Sequence, residues 1–154
     1  MSKKEHSKSE HDAEGIGNLL WKVSLRWQLH SKQTLDPFGI TQTQYLFLLH
    51  TKHLMQNHTM ITQQMLAEAA ELDKMMTSKV LKTLEEKQLI VRTAHQKDAR
   101  SKTLELTAAA EDLLVTVLPL LQKSDKIFFE PIFEKQIKLK KLLNKIYKHS
   151  SSKE

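Results

Sequence analysis

Three glycines and three prolines are all that this 154-residue chain contains. These residues punctuate periodic structure, so a chain this poor in them folds mostly as helices joined by short polar connections. Leu, Lys, Glu, Gln and Ala, which favour helix, are abundant. One domain is the expectation at this length, and 40% hydrophobic content is enough to fill its core.

The absence of cysteine excludes a disulfide framework, a thiolate metal site and a cysteine redox switch. No apolar run approaches the roughly 18 residues that a membrane span needs. The opening "MSKKEHSKSEHDAEG" is polar with no apolar stretch behind it, unlike a signal peptide. Residues 1–13 therefore read as a disordered tail, and the cytoplasm is the expected location.

Ile16, Leu19, Leu20, Val23 and Trp27 recur at helical spacing and predict a first helix to about Gln33. "LDPFGIT" (35–41) breaks it. Thr41 is placed to cap a second helix, apolar on most sides through Tyr45, Leu46, Phe47, Leu48 and Leu49, and hence central. "NHTMI" (57–61) is a brief extended segment. Thr62 then caps a short helix, and Asp73 caps "KMMTSKVLKTLEEKQ". Two helices so joined form a helix-turn-helix. "LIVRT" and "KTLELT" alternate as two strands around the polar tip "AHQKDARS". A long helix follows Thr107, with Pro119 expected to kink or split it, and Pro131 opens a last helix bearing Leu139, Leu142, Leu143 and Ile146.

The fold class is thus mainly α with a small β-hairpin wing: a winged helix-turn-helix. The expected organisation is one domain over residues 14–150, with a winged-helix lobe at about 40–107. Residues 14–34 and 108–150 carry spare apolar stripes and are expected to be dimerisation helices.

Charge is unevenly spread. Residues 73–102 carry eight basic and four acidic groups, and residues 131–154 carry seven and two. An acidic segment separates them. Such clusters suit a polyanionic partner. In the helix that Asp73 opens, Thr77, Val80, Leu81 and Leu84 fall on one side, while Lys74, Met75, Ser78, Lys79 and Lys82 point away. Taken alone, this is most simply a solvated amphipathic helix with Met75 and Met76 as core filler. The hairpin that follows shifts the balance, because Arg92, His95, Lys97, Arg100 and Lys102 crowd around its tip, and arginine suits a narrow minor groove.

The stretch "TQQMLAEAAELDKMMTSKVLKTLEEKQLIVRTAHQKDARSKTLELTAAAEDLL" (62–114) resembles the MarR family of bacterial winged-helix regulators. Thr62-Gln63, Leu66-Ala67, Leu84-Glu85, Leu89-Ile90, Arg92, Asp98, Arg100, Leu104, Leu106 and Thr107 stand in register with that family's pattern. The motifs cover about a third of the chain. Glu71, Gln88 and Ala110 occupy positions where the family often has glycine, which marks positive φ or close approach. Met75 and Met76 replace the small hydroxyl residues frequent there.

The resemblance implies a homodimer that binds double-stranded DNA sequence-specifically at a pseudo-palindromic operator, most simply as a repressor. Lys74, Met75, Ser78, Lys79 and Lys82 would enter the major groove. Thr62 and Gln63 would contact phosphate. Arg100, with Lys97 and Lys102, would serve the wing, which Asp98 would orient. Asp98 is equally well read as a turn-forming aspartate. A small-molecule effector between the long helices and the lobe is also implied, at a place the sequence does not mark.

Other chemistry is sparse. His50 and His53 are one helical turn apart and His58 follows, but no dense cluster with carboxylates and no HExxH appears, so no metal and no cofactor are expected. There is no glycine-rich phosphate loop and no nucleophile motif, so the chain is not expected to be an enzyme. The lysines from Lys135 to Lys148 read as a solvated face rather than a second nucleic-acid surface or a contact with anionic lipid. Trp21 and Trp27 are expected in core or interface. Two alternatives stay open: a winged-helix interaction module that does not bind DNA, and a zinc-responsive regulator of the same fold.

Overall fold

The computed structural model describes residues 15–94 and 102–151, without the side chains of Ala94, Lys102 and Ser151. Helix α1 spans Ile16–Leu35 and passes through a 3-10 turn, Asp36–Phe38, into α2, Gln42–Asn57. Helices α3 (Gln63–Ala70) and α4 (Lys74–Glu86) follow, then strands β1 (Ile90–Ala94) and β2 (Lys102–Leu106). Helix α5, Ala108–Phe128, leads through a 3-10 segment, Glu130–Lys135, to α6, Gln136–Ser151. The expected tail at 1–13 and the hairpin tip fall outside the described residues.

Each helix of the lobe starts where a short polar side chain can replace a missing backbone partner. The Thr41 hydroxyl accepts from the Gln44 amide while the Gln44 side chain accepts from the Thr41 amide, a reciprocal capping box. Thr62 accepts from the Met65 amide at 3.3 Å, and Asp73 from the Met76 amide at 2.8 Å. Thr107 caps α5 through the Ala110 amide, and its hydroxyl also donates to the Gln88 carbonyl at 2.8 Å. One threonine thereby ties the end of α4 to the start of α5.

Two helices end in the left-handed region. After α3, the amides of Glu71 and Leu72 donate to the carbonyls of Glu68 and Ala67; after α4, those of Gln88 and Leu89 donate to Glu85 and Leu84. Both are Schellman closures, with Glu71 at φ 53° and Gln88 at φ 57°. These are two of the three sites where the resemblance led one to look for glycine; the third, Ala110, is buried inside α5 and is not at positive φ. A side chain in the left-handed conformation costs about 1–2 kcal/mol. Gln88→Gly is therefore expected to stabilise the fold by about 1 kcal/mol, partly offset by the extra freedom of glycine when unfolded, and to raise Tm by about 3 °C. Thermal unfolding of the variant beside the parent checks this.

The sheet is small. Strands β1 and β2 pair antiparallel, with Ile90 opposite Leu106 and Ala94 opposite Lys102. The extended segment before α3 touches the sheet through an isolated bridge: Thr62 pairs with Thr103, and the Leu104 amide donates to the Ile61 carbonyl at 2.9 Å. Ile90 and Leu104 point inward with Ile61 and join Leu35, Phe47, Leu48, Leu66, Leu81, Leu84, Leu114 and Val117 in one buried core. Helix α2 is central, as its composition requires, though Leu46 is exposed.

Two proline expectations need adjustment. Of the kink or split expected at Pro119, the split does not occur, since helix α5 continues through it. Pro119 and Val115, four residues before it, both face solvent, so water can satisfy the carbonyl that proline leaves unpaired. Pro131 opens the 3-10 segment rather than the last α-helix, which starts at Gln136. Helix α1 also extends to Leu35, beyond Gln33.

Helices α1 and α6 keep much of their apolar surface outside this core. Ile16, Leu20, Trp21 and Leu29 on α1, and Ile137, Leu142, Ile146 and Tyr147 on α6, are all exposed. Trp27 and His30 meet α5 through polar contacts: the Trp27 indole N–H donates to Asp125 at 2.8 Å, and His30 Nδ1 lies 2.7 Å from the Ser124 hydroxyl.

Candidate nucleic-acid interface

Helix α4 has two unlike faces. Thr77, Leu81 and Leu84 are fully buried, and Val80 packs half-buried against the same core. Lys74, Met75, Ser78, Lys79 and Lys82 are all exposed. Met75 is 83% exposed and Met76 46%, so neither is core filler. A large thioether left in water on a cationic helix face is suited to apolar contact with a partner.

The two helix N-termini differ electrostatically. Helix α4 is capped by the Asp73 carboxylate, which meets the positive end of its own dipole within the chain. Helix α3 is capped by the neutral Thr62 hydroxyl, with Gln63 half-buried at its first position. An anion therefore finds the less neutralised dipole at α3, and the lysines supply the attraction at α4. Among the described residues Lys74 and Lys79 make no ion pair. Lys82 lies 4.0 Å from Glu86 with both side chains largely exposed, a weak pair.

The basic hairpin is less uniformly basic at its surface than its composition suggests. The Arg92 guanidinium donates through Nε to Glu85 Oε2 at 2.9 Å and through Nη2 to the same oxygen, and its side chain is only 14% exposed. It clamps β1 against the last turn of α4, and so does not join the cations at the tip. Lys87 donates to Gln44 Oε1 at 2.9 Å and to the Gly39 carbonyl, tying the end of α4 to the α1–α2 junction. Both ties escape a reading of charge along the chain, because their partners are carried on other turns. His95, Lys97, Asp98 and Arg100 lie outside the described residues, and of Lys102 only the backbone, in β2, is described.

The histidine pair on α2 has an electrostatic consequence. Partial burial holds the His50 imidazole below its ordinary value, and neighbouring His53 adds to the effect. A histidine kept neutral by the fold stabilises it above the unfolded value of 6.5 and loses that contribution as pH falls through the lower folded value. Urea midpoints are expected to fall between about pH 7.5 and pH 5.5, and to fall less in His50→Gln. Burial pushes the Tyr45 phenol up, with a smaller push from Asp125. Among the described residues no group of three or more His, Asp or Glu is arranged to hold a metal ion, and no helix is long and apolar enough to cross a membrane.

Comparison with known proteins bears directly on this surface. The MarR family profile matches residues 40–102, the helix-turn-helix and wing. The Bacillus subtilis protein YdcH, named an uncharacterized HTH-type transcriptional regulator, is 31% identical over 131 residues, covering 85% of this chain and 89% of YdcH. An uncharacterized HTH-type transcriptional regulator of Bacillus anthracis is 32% identical over 145 residues, covering 90% and 94%. The chain belongs to the MarR family. It is accordingly a transcriptional regulator and not an enzyme. S. aureus MepR, solved as a DNA complex, shares the fold at a TM-score of 0.78 and 22% identity, over 90% of this chain and 98% of MepR. A mutant MarR from E. coli, complexed with operator DNA, gives 0.76 and 20%, over 85% and 92%.

The MarR-like motifs acquire physical roles in this structure. Glu85 and Arg92 are partners in one clamp, and Thr107 braces the left-handed turn at Gln88. Leu66, Leu84, Ile90 and Leu104 are core residues that hold the MarR helix-turn-helix against its wing.

Proposed function

We propose that this MarR-family regulator is a cytoplasmic homodimer that binds double-stranded DNA at a pseudo-palindromic operator and represses by occluding a promoter. The observation that carries the reading is the split of α4: one face is locked into the core, and the other presents Lys74, Met75, Ser78, Lys79 and Lys82 to solvent. These five are the proposed major-groove residues, since lysine and serine serve both phosphates and base edges. Thr62 and Gln63 are proposed to contact phosphate at the α3 N-terminus. Lys97, Arg100 and Lys102 are assigned to the wing in the adjacent minor groove, with Asp98 orienting it. Solved relatives of the same fold, MepR and the mutant MarR, are complexed with DNA.

Residues 14–34 and 108–150 are proposed as the dimerisation helices around the winged-helix lobe at about 40–107. The exposed apolar residues of α1 and α6 support this, because surface of that kind on two long helices is normally covered by a partner. Two-fold symmetry would then place the α4 pair about 34 Å apart, one turn of duplex. Genome-wide mapping of bound sites tests the whole reading, and is expected to return a short inverted repeat at promoters. A protein that enriches no duplex sequence would instead be an interaction module. Light scattering at micromolar concentration is expected to give twice the chain mass, and a monomer would remove the role proposed for α1 and α6.

A further inference from the structure

A groove of about 870 Å³ lies between the end of α2 and the sheet, and no residue of α4 lines it. That is ample for a small organic molecule. One wall is residues 55–61, and the other is formed by Thr93, Thr103 and Glu105. Ile61, Leu104 and Thr103 are buried beneath it. The hydroxyls of Thr93 and Thr103, opposite one another in register, lie 2.7 Å apart and largely satisfy each other.

Two features decide the chemistry of an occupant. Met55 and Met60 line the groove with thioethers 42% and 52% exposed, an arrangement that favours contact with an aromatic ring. Glu105 is the one carboxylate among the lining residues; no lysine or arginine accompanies it, His58 is the one basic side chain on the opposite wall, and among the described residues Glu105 has no ion-pair partner. We propose that this groove is a binding site for a small aromatic cation, its ring against Met55 and Met60 and its charge on Glu105. The groove's two walls lead into Thr62 and into the wing strands, so an occupant would sit between the two parts proposed to touch DNA.

The test uses the full chain, free of DNA, so its failure would leave the DNA-binding reading intact. With 13C-labelled methionine methyls, titration with 2-naphthylmethylammonium is expected to shift the Met55 and Met60 signals and leave Met75 and Met76 in place. Neutral 2-naphthylmethanol and anionic 2-naphthoate are expected to bind about fivefold more weakly or worse. Glu105→Gln, on an exposed strand position, is expected to abolish that preference while leaving binding of the neutral compound unchanged. Absence of shifts at Met55 and Met60, equal affinity for the anion, or an undiminished cation preference in Glu105→Gln would each overturn the proposal.

Discussion

Raising salt from about 50 mM to about 200 mM is expected to weaken operator binding by about 10³–10⁵-fold, the loss that accompanies six to ten phosphate contacts. In the proposed dimer each chain would offer Lys74, Lys79 and Lys82, the last weakly paired with Glu86, assisted by the α3 N-terminus, and two chains would double the number. Lys97, Arg100 and Lys102 would add to it. Arg92 and Lys87 do not count, because the fold already occupies them with Glu85, Gln44 and Gly39. The slope of log affinity against log salt therefore measures the exposed set, not the basic composition. Lys79→Ala, present twice in a dimer, is expected to reduce the slope by about two. Fluorescence anisotropy over a salt series gives both quantities. A flat response would mean that the lysines of α4 face water in the complex as they do in the free protein, and the interaction-module reading would replace this one.

The lobe was legible in the sequence where its determinants are local. Thr41, Thr62, Asp73 and Thr107 each satisfy an amide three residues on, so a polar residue ahead of an apolar period was enough to place four helix starts. The two faces of α4 followed from helical spacing for the same reason. Helix ends were harder. Glutamate and glutamine carry no preference for positive φ, so Glu71 and Gln88 became visible only through the glycines that MarR-like sequences have there. Long-range ties were invisible. A count of charges cannot tell Arg92, spent on Glu85, from a free wing cation, and nothing along the chain links the Tyr147 hydroxyl to the Glu71 carboxylate to which it donates. Pro119 does not split α5, because the carbonyl it orphans lies on a solvated side, and the sequence around it does not announce that exposure. The proposed wing contacts Lys97, Asp98 and Arg100 fall outside the described residues, so their assignment still rests on the resemblance.

Substitutions on the two faces of α4 are expected to separate stability from DNA affinity. Leu81 is fully buried among the core residues that seat the helix, and truncation there removes apolar contact and leaves a cavity. Leu81→Ala should cost about 3 kcal/mol and lower Tm by roughly 10 °C, a large share of what a domain of this size possesses. Lys79 and Ser78 are exposed, and neither side chain bonds another described residue. Their alanine variants should unfold within about 0.5 kcal/mol of the parent. The order reverses on DNA. Lys79→Ala should lose about tenfold or more in affinity, because the proposed dimer would forfeit two charge contacts of about 1 kcal/mol apiece. Leu81→Ala, assayed well below its melting temperature, keeps every groove-facing group and should lose less. Chemical denaturation and anisotropy on the same three variants give the comparison. If Lys79→Ala unfolded several kcal/mol early, or if Leu81→Ala were silent in stability, then α4 would sit the other way round in its lobe, with the lysines turned inward and no cationic ridge left for a duplex to meet.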